Sequence, residues 1–160
     1  MKKIVYVIAL AVLLLPMLAL AQNATDTTSA IKTGVWEGSW TQNGGYHSVI
    51  KLNVASITDK HVKAQLNFVN RNNSIVELTG IVADSFGDFV EQSRWQFVAS
   101  DKKFKDGTWI KFTDVKLIQG DVEIKSTYFV FLKDNTITGC WFHADEPQPS
   151  GRIELKAPEQ

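Results

Sequence analysis

The stretch Gly34-Val35-Trp36-Glu37-Gly38-Ser39-Trp40 decides the fold, because its spacing repeats. Each tryptophan stands two residues after a glycine. The same step recurs at Gly107-Thr108-Trp109 and Gly139-Cys140-Trp141, so four of the five tryptophans share it. Residues two apart on a strand point to one face. A glycine there leaves room for an indole beside it and lets the strand bend. Small closed barrels need both, since their strands curve and their interiors are filled by large rings set against small residues.

Outward from this stretch the chain reads as strands. Ile50, Leu52 and Val54 alternate with Val49, Lys51 and Asn53, and Val62, Ala64, Leu66 and Phe68 alternate with Lys63, Gln65 and Asn67. Both runs have period 2, with one apolar and one polar face. Turn residues separate the runs, among them Asn43-Gly44-Gly45, Thr58-Asp59-Lys60, Arg71-Asn72-Asn73, Gln119-Gly120-Asp121 and Asp134-Asn135. No proline falls between Gln22 and Glu146, as expected of a continuous sheet. The predicted strands are 35–42, 47–56, 61–70, 74–83, 92–99, 108–118, 123–133, 136–144 and 151–157, with 84–91 a helical turn or an extended loop. The fold class is all-β: a single antiparallel up-and-down barrel of eight or nine strands. A two-sheet β-sandwich is the alternative, and the Gly-x-Trp spacing and simple hairpin order favour the barrel.

The two ends set the compartment. Lys2 and Lys3 precede an uncharged run from Ile4 to Leu20, and Ala19-Leu20-Ala21 is a small-x-small cleavage signature. Residues 1–21 read as a signal peptide, 22–33 as a flexible leader and 34–158 as the barrel domain. Export is expected, to the periplasm or the medium, with no membrane attachment after cleavage; an uncleaved membrane anchor is the rival reading. The 17 basic side chains less Lys2 and Lys3 leave 15 against 17 acidic ones, a net −2 that points to no nucleic-acid partner. Cys140 is the one cysteine, so no intrachain disulfide staples the fold.

From Gly34-x-Trp36 onward the chain resembles the calycin superfamily, the lipocalin-like and avidin-like secreted barrels. In that group Gly-x-Trp opens the first strand, and a basic residue on the last strand packs over the indole and closes one barrel end. The resemblance implies the closing role for Gly34, Trp36 and Arg152, the last in Gly151-Arg152-Ile153-Glu154-Leu155. Asn135-Thr-Ile-Thr-Gly-Cys-Trp141 is similar to the last hairpin of small bacterial lipocalin-like proteins. The cysteine pair and the helix after the last strand found in true lipocalins are missing, as is the polar pattern with which avidins hold biotin. The resemblance therefore implies a fold and not a ligand.

Trp40, Trp95, Trp109, Phe129 and Trp141 fall on apolar phases of their predicted strands. They are the candidate lining of a pocket for a small apolar or aromatic ligand, against the plainer reading of a solid aromatic core. No catalytic constellation is recognisable and nothing calls for a cofactor or a metal. His143-x-Asp145-Glu146 could hold a divalent ion by residue type, but its spacing matches no zinc signature. Glu37, between two tryptophans, faces water if Trp36 faces the lumen. Three functions stay open: a non-enzymatic ligand-binding barrel, a protein-interaction module or inhibitor, and an enzyme on a calycin-like barrel. The protein-interaction reading draws on the 84–91 segment and the Pro-rich loop 145–150, whose residues 148–150 should be removable without loss of fold. The enzyme reading requires Glu37 and His143 to share a pocket.

Overall fold

Strand β2 (His47–Thr58) shows how the chain uses its alternation. Ser48, Ile50, Leu52 and Val54 are buried, while His47, Val49, Lys51 and Asn53 are exposed. β1 (Gly34–Gln42), β3 (His61–Phe68) and β4 (Ser74–Ala83) repeat the pattern. β5 (Thr108–Gln119), β6 (Ser126–Lys133), β7 (Thr136–His143) and β8 (Gly151–Lys156) complete the set. All neighbours are antiparallel in chain order, and β8 pairs back onto β1, closing an eight-strand up-and-down barrel. The structure, a computed structural model, describes residues 31–83, 85, 89, 107–121, 125–143 and 146–158.

The barrel and its antiparallel order are as the sequence predicts, and the sandwich alternative falls. The predicted strand 92–99 lies outside the described residues. β4 pairs directly with β5, so eight strands close the wall without it. The signal peptide and residues 22–30 also lie outside. Ile31 is buried in the core, so packing reaches at least three residues ahead of β1.

Register shifts in β2 between Val54 and Ser56, and twice in the β4–β5 pairing, give the bends that closure needs. Asp134 and Asn135 form the two-residue turn between β6 and β7, with φ of 49° and 59°. Two left-handed residues match the twist of a hairpin.

Apolar side chains fill most of the lumen: Trp36, Ile50, Leu52, Leu66, Leu78, Ile110, Phe112, Ile137 and Leu155 are all 2% exposed or less. Each such burial stabilises the fold by roughly 1.5–3 kcal/mol. A second cluster lies on the opposite face of the wall. Trp109, Phe129, Phe131 and Phe142 alternate with inward neighbours on β5, β6 and β7, and pack with Ala83 and Phe89. β6 is thus buried on both faces from Tyr128 to Leu132.

Two glycines of the Gly-x-Trp steps have a different use from the one expected. A Cβ on Gly38 would strike the Glu154 backbone carbonyl, and one on Gly139 the Phe129 carbonyl. The space beside them is taken by the neighbouring strand, not by the indole. Gly151 is the position that makes room for one: a Cβ there would strike Trp141 Nε1 and the Thr41 carbonyl.

Candidate functional site

β1 begins at one end of the barrel and finishes at the other, and the two ends differ. At the first, Trp36 is fully buried and its Nε1 donates to the Lys32 carbonyl at 2.9 Å. Gly34, at φ 112°, brings the chain against Pro158. Arg152 does not take the closing role that the resemblance implies. It pairs with Thr41 and Cys140 near the far end of β1, on an exposed position, while Trp36 points into the lumen. The segment entering β1, with Ile31 and the Lys32 carbonyl, holds Trp36 in place of a basic side chain.

The other end is hollow. A cavity of about 170 Å³ is lined by Trp40, Gln42, Phe68, Arg71, Ser126, Tyr128, Trp141 and His143. Its back wall is the stacked pair Trp40 and Trp141, 4.7 Å apart and inclined at 26°. Barrel closure makes this pair, since β1 and β7 meet only across β8. Trp141 Nε1 donates to the Thr41 carbonyl at 2.8 Å, which fixes that ring. Phe68 stands edge-on to Trp40 at 5.6 Å, and His143 edge-on to Trp141 at 5.0 Å. The Trp40 indole N–H is buried and has no hydrogen-bond partner among the described residues.

Arg71 sits at the rim. It leaves the β3–β4 loop beside Asn72 and Asn73, both in the left-handed region at φ 51° and 50°. Its guanidinium lies 4.5 Å from the Tyr46 ring centroid and 5.2 Å from that of Trp40, and its Nε donates to the Tyr46 hydroxyl at 3.2 Å. Such a cation over aromatic faces contributes roughly 0.5–2 kcal/mol. The sequence holds this arginine–indole pairing, but with Arg71 on Trp40 and at the end opposite Trp36.

The polar side of the cavity rests on Asp114. Asp114 Oδ2 accepts from Ser126 N at 3.0 Å and Lys125 N at 3.5 Å, while its Oδ1 is buried without a partner. Burial pushes the Asp114 carboxyl up from its ordinary value near 3.8, against the hydrogen bonds from β6 that lower it. Tyr128, wholly buried and facing the Asp114 charge, is pushed well above the usual tyrosine range and stays a hydroxyl. An acid whose folded pKa is raised adds stability below its unfolded pKa and loses it as pH rises through the folded value. Asp114→Asn should therefore gain melting temperature relative to the wild type as pH rises above about 4, with the two proteins converging below it. A difference that is the same at every pH would refute this.

Of the five expected lining residues, Trp40 and Trp141 meet at the cavity. Trp109 and Phe129 lie on the outer face of the wall, in the cluster with Phe89, and Trp95 is outside the described residues. Phe68, Tyr128 and Arg71 were missed. Phe68 and Tyr128 were legible as inward phases of alternating strands, whereas nothing in the spacing points to Arg71. Glu37 faces out, as expected with Trp36 inward, and binds Lys51 at 2.6 Å directly across the β1–β2 pair. It therefore does not share the mouth with His143.

Beside the cavity runs an open groove of about 400 Å³ lined by Gln42, Asn43, His143 and Glu146 to Ser150. Ser150 is not removable as the sequence suggests. Its N–H donates to Trp141, its carbonyl accepts from Asn43 N, its Oγ accepts from His143 N, and that hydroxyl donates to Glu146 Oε2. Asp145 is outside the described residues. Among those described, no three His, Cys, Asp or Glu side chains gather where they could hold a metal ion. Cys140 packs against the outer aromatic cluster. No known protein family matches the chain, and no characterised protein matches it in sequence.

Proposed function

We propose that the protein is a non-enzymatic binding barrel, akin in layout to the calycins, that holds one small aromatic or apolar molecule at its open end. The observation that carries this reading is the 170 Å³ cavity walled by Trp40, Phe68, Tyr128 and Trp141, in a barrel otherwise filled by side chains. An enclosed apolar cavity near 150 Å³ is enough for a benzene-sized ligand. Concave aromatic walls with a few polar groups are the usual makeup of a ligand pocket. The leading sequence 1–21 supports export, and with it a periplasmic or extracellular site of action.

Native mass spectrometry of the exported protein tests the reading. A retained small-molecule mass, lost on denaturation, is expected. In titrations with benzyl alcohol, Phe68→Trp should weaken binding at least about tenfold by filling the cavity, since overpacking costs roughly 1–3 kcal/mol. Trp109→Phe, on the outer face, should leave it unchanged. The same response from both variants would sink the proposal.

One observation favours a second reading, a protein-interaction module: the open groove formed by Glu146 to Ser150 beside the cavity. A co-purifying protein in place of a small molecule would select it.

A further inference from the structure

We infer that the ligand is a small planar anion, of the aryl carboxylate class, with its ring in the aromatic cavity and its charge on Arg71. This rests on the binding reading above and narrows it.

Three observations converge. First, Arg71 is half-buried at the cavity rim, and among the described residues no carboxylate pairs with it. Among the described residues its one side-chain hydrogen bond goes from Nε to the Tyr46 hydroxyl, so the rest of the guanidinium fork is unspent there. That fork matches the two oxygens of a carboxylate. Second, the Trp40 N–H is a buried donor without an acceptor, in a residue that lines the cavity. Such a group costs about 1–3 kcal/mol while unpaired, so this wall is short of acceptors and not of donors. Third, Ser126 and Tyr128 put two hydroxyls into the same lining that are engaged with Asp114 behind them, and Tyr128 keeps its proton because burial and the Asp114 charge both oppose ionisation. Among the described lining residues no carboxylate competes for Arg71.

The same geometry argues against a cation. Aromatic cages can take ammonium groups on their ring faces. Here Arg71 already lies over Trp40 and Tyr46. An incoming cation would have to displace it or sit beside it. Asp114, behind Ser126 and Tyr128, does not line the cavity and is held by Ser126 N. Size sets the remaining limit. About 170 Å³ accommodates one ring, so the carboxylate would stand at the rim, where Arg71 is.

The test compares three one-ring probes of similar shape, benzoate, benzyl alcohol and benzylamine, by calorimetric titration of the exported protein at fixed salt. Benzoate should bind about tenfold or more tighter than benzyl alcohol, the usual worth of a hydrogen bond to a charged group. Benzylamine should bind most weakly. Arg71→Gln should bring benzoate down to the affinity of benzyl alcohol, and Arg71→Lys should recover part of the preference. Equal or tighter binding of benzyl alcohol would overturn the anion inference and leave the binding barrel standing. Preference for benzylamine would overturn it in favour of a cation cage. Selectivity unchanged in Arg71→Gln would also overturn it. No binding of any probe would remove both proposals.

Discussion

Trp36→Ala is expected to lower stability by about 3–5 kcal/mol, the usual cost of truncating a large buried aromatic residue. Trp36 is fully enclosed, and nothing around it can easily collapse into the space. On one side lie the β1 and β2 backbones, with Leu52 directly opposite. The Lys32 carbonyl would also lose its indole donor. For a domain of this size each kcal/mol shifts the melting temperature by about 2–4 °C, so a drop of about 10 °C is expected. Urea unfolding should show a lower midpoint with an unchanged slope. A loss under about 1 kcal/mol would mean that Ile31 and its neighbours do not form a fixed plug.

The second large effect is expected at Gly38. Gly38→Ala places a methyl group against the Glu154 carbonyl and the Leu155 backbone, which are main chain and cannot swing aside. Overpacking costs about 1–3 kcal/mol in well-packed interiors, and here the only relief is separation of β1 from β8. The expected signature is specific. Amides of Ser39 to Thr41 and of Arg152 to Leu155 should exchange faster than those of β2 and β3, and the protein should associate through the newly exposed strand edges. Ser39→Ala, on the exposed face of the same strand, should stay within about 0.5 kcal/mol of wild type. Uniformly faster exchange in all eight strands would show that the seam is not a separate weak point.

These expectations also show what the sequence makes readable. Period-2 alternation at Val49–Val54 and Val62–Phe68 places those side chains correctly, because each strand has one wet and one dry face. The rule fails in Tyr128-Phe129-Val130-Phe131-Leu132, where both faces are dry and a continuous apolar run carries no phase. Phe129 therefore reads as a lumen residue, yet it stands on the outer face against Phe89 and Phe142. Trp109 follows it, because Trp109 and Phe131 are opposite one another across the β5–β6 pair. Arg152 was tied to Trp36 by resemblance alone. Register decides such pairings, and register is a property of two strands that no single strand's spacing contains. Arg71 reaches Trp40 from a loop shaped by two left-handed asparagines, and the stack of Trp40 on Trp141 exists only once the wall has closed.

The pairing of β1 with β8 has a kinetic meaning. The two strands that complete the wall are the earliest and latest made of the eight, so the cavity end they help to frame has the highest contact order among the described strand pairings. During synthesis β1 can acquire β2 at once, but its other edge waits until all seven later strands have been made. Throughout that interval it offers a bare row of donors and acceptors to any passing strand. The half-built barrel is thus the form most in need of a holding chaperone, and the closed cavity is the last feature the chain acquires.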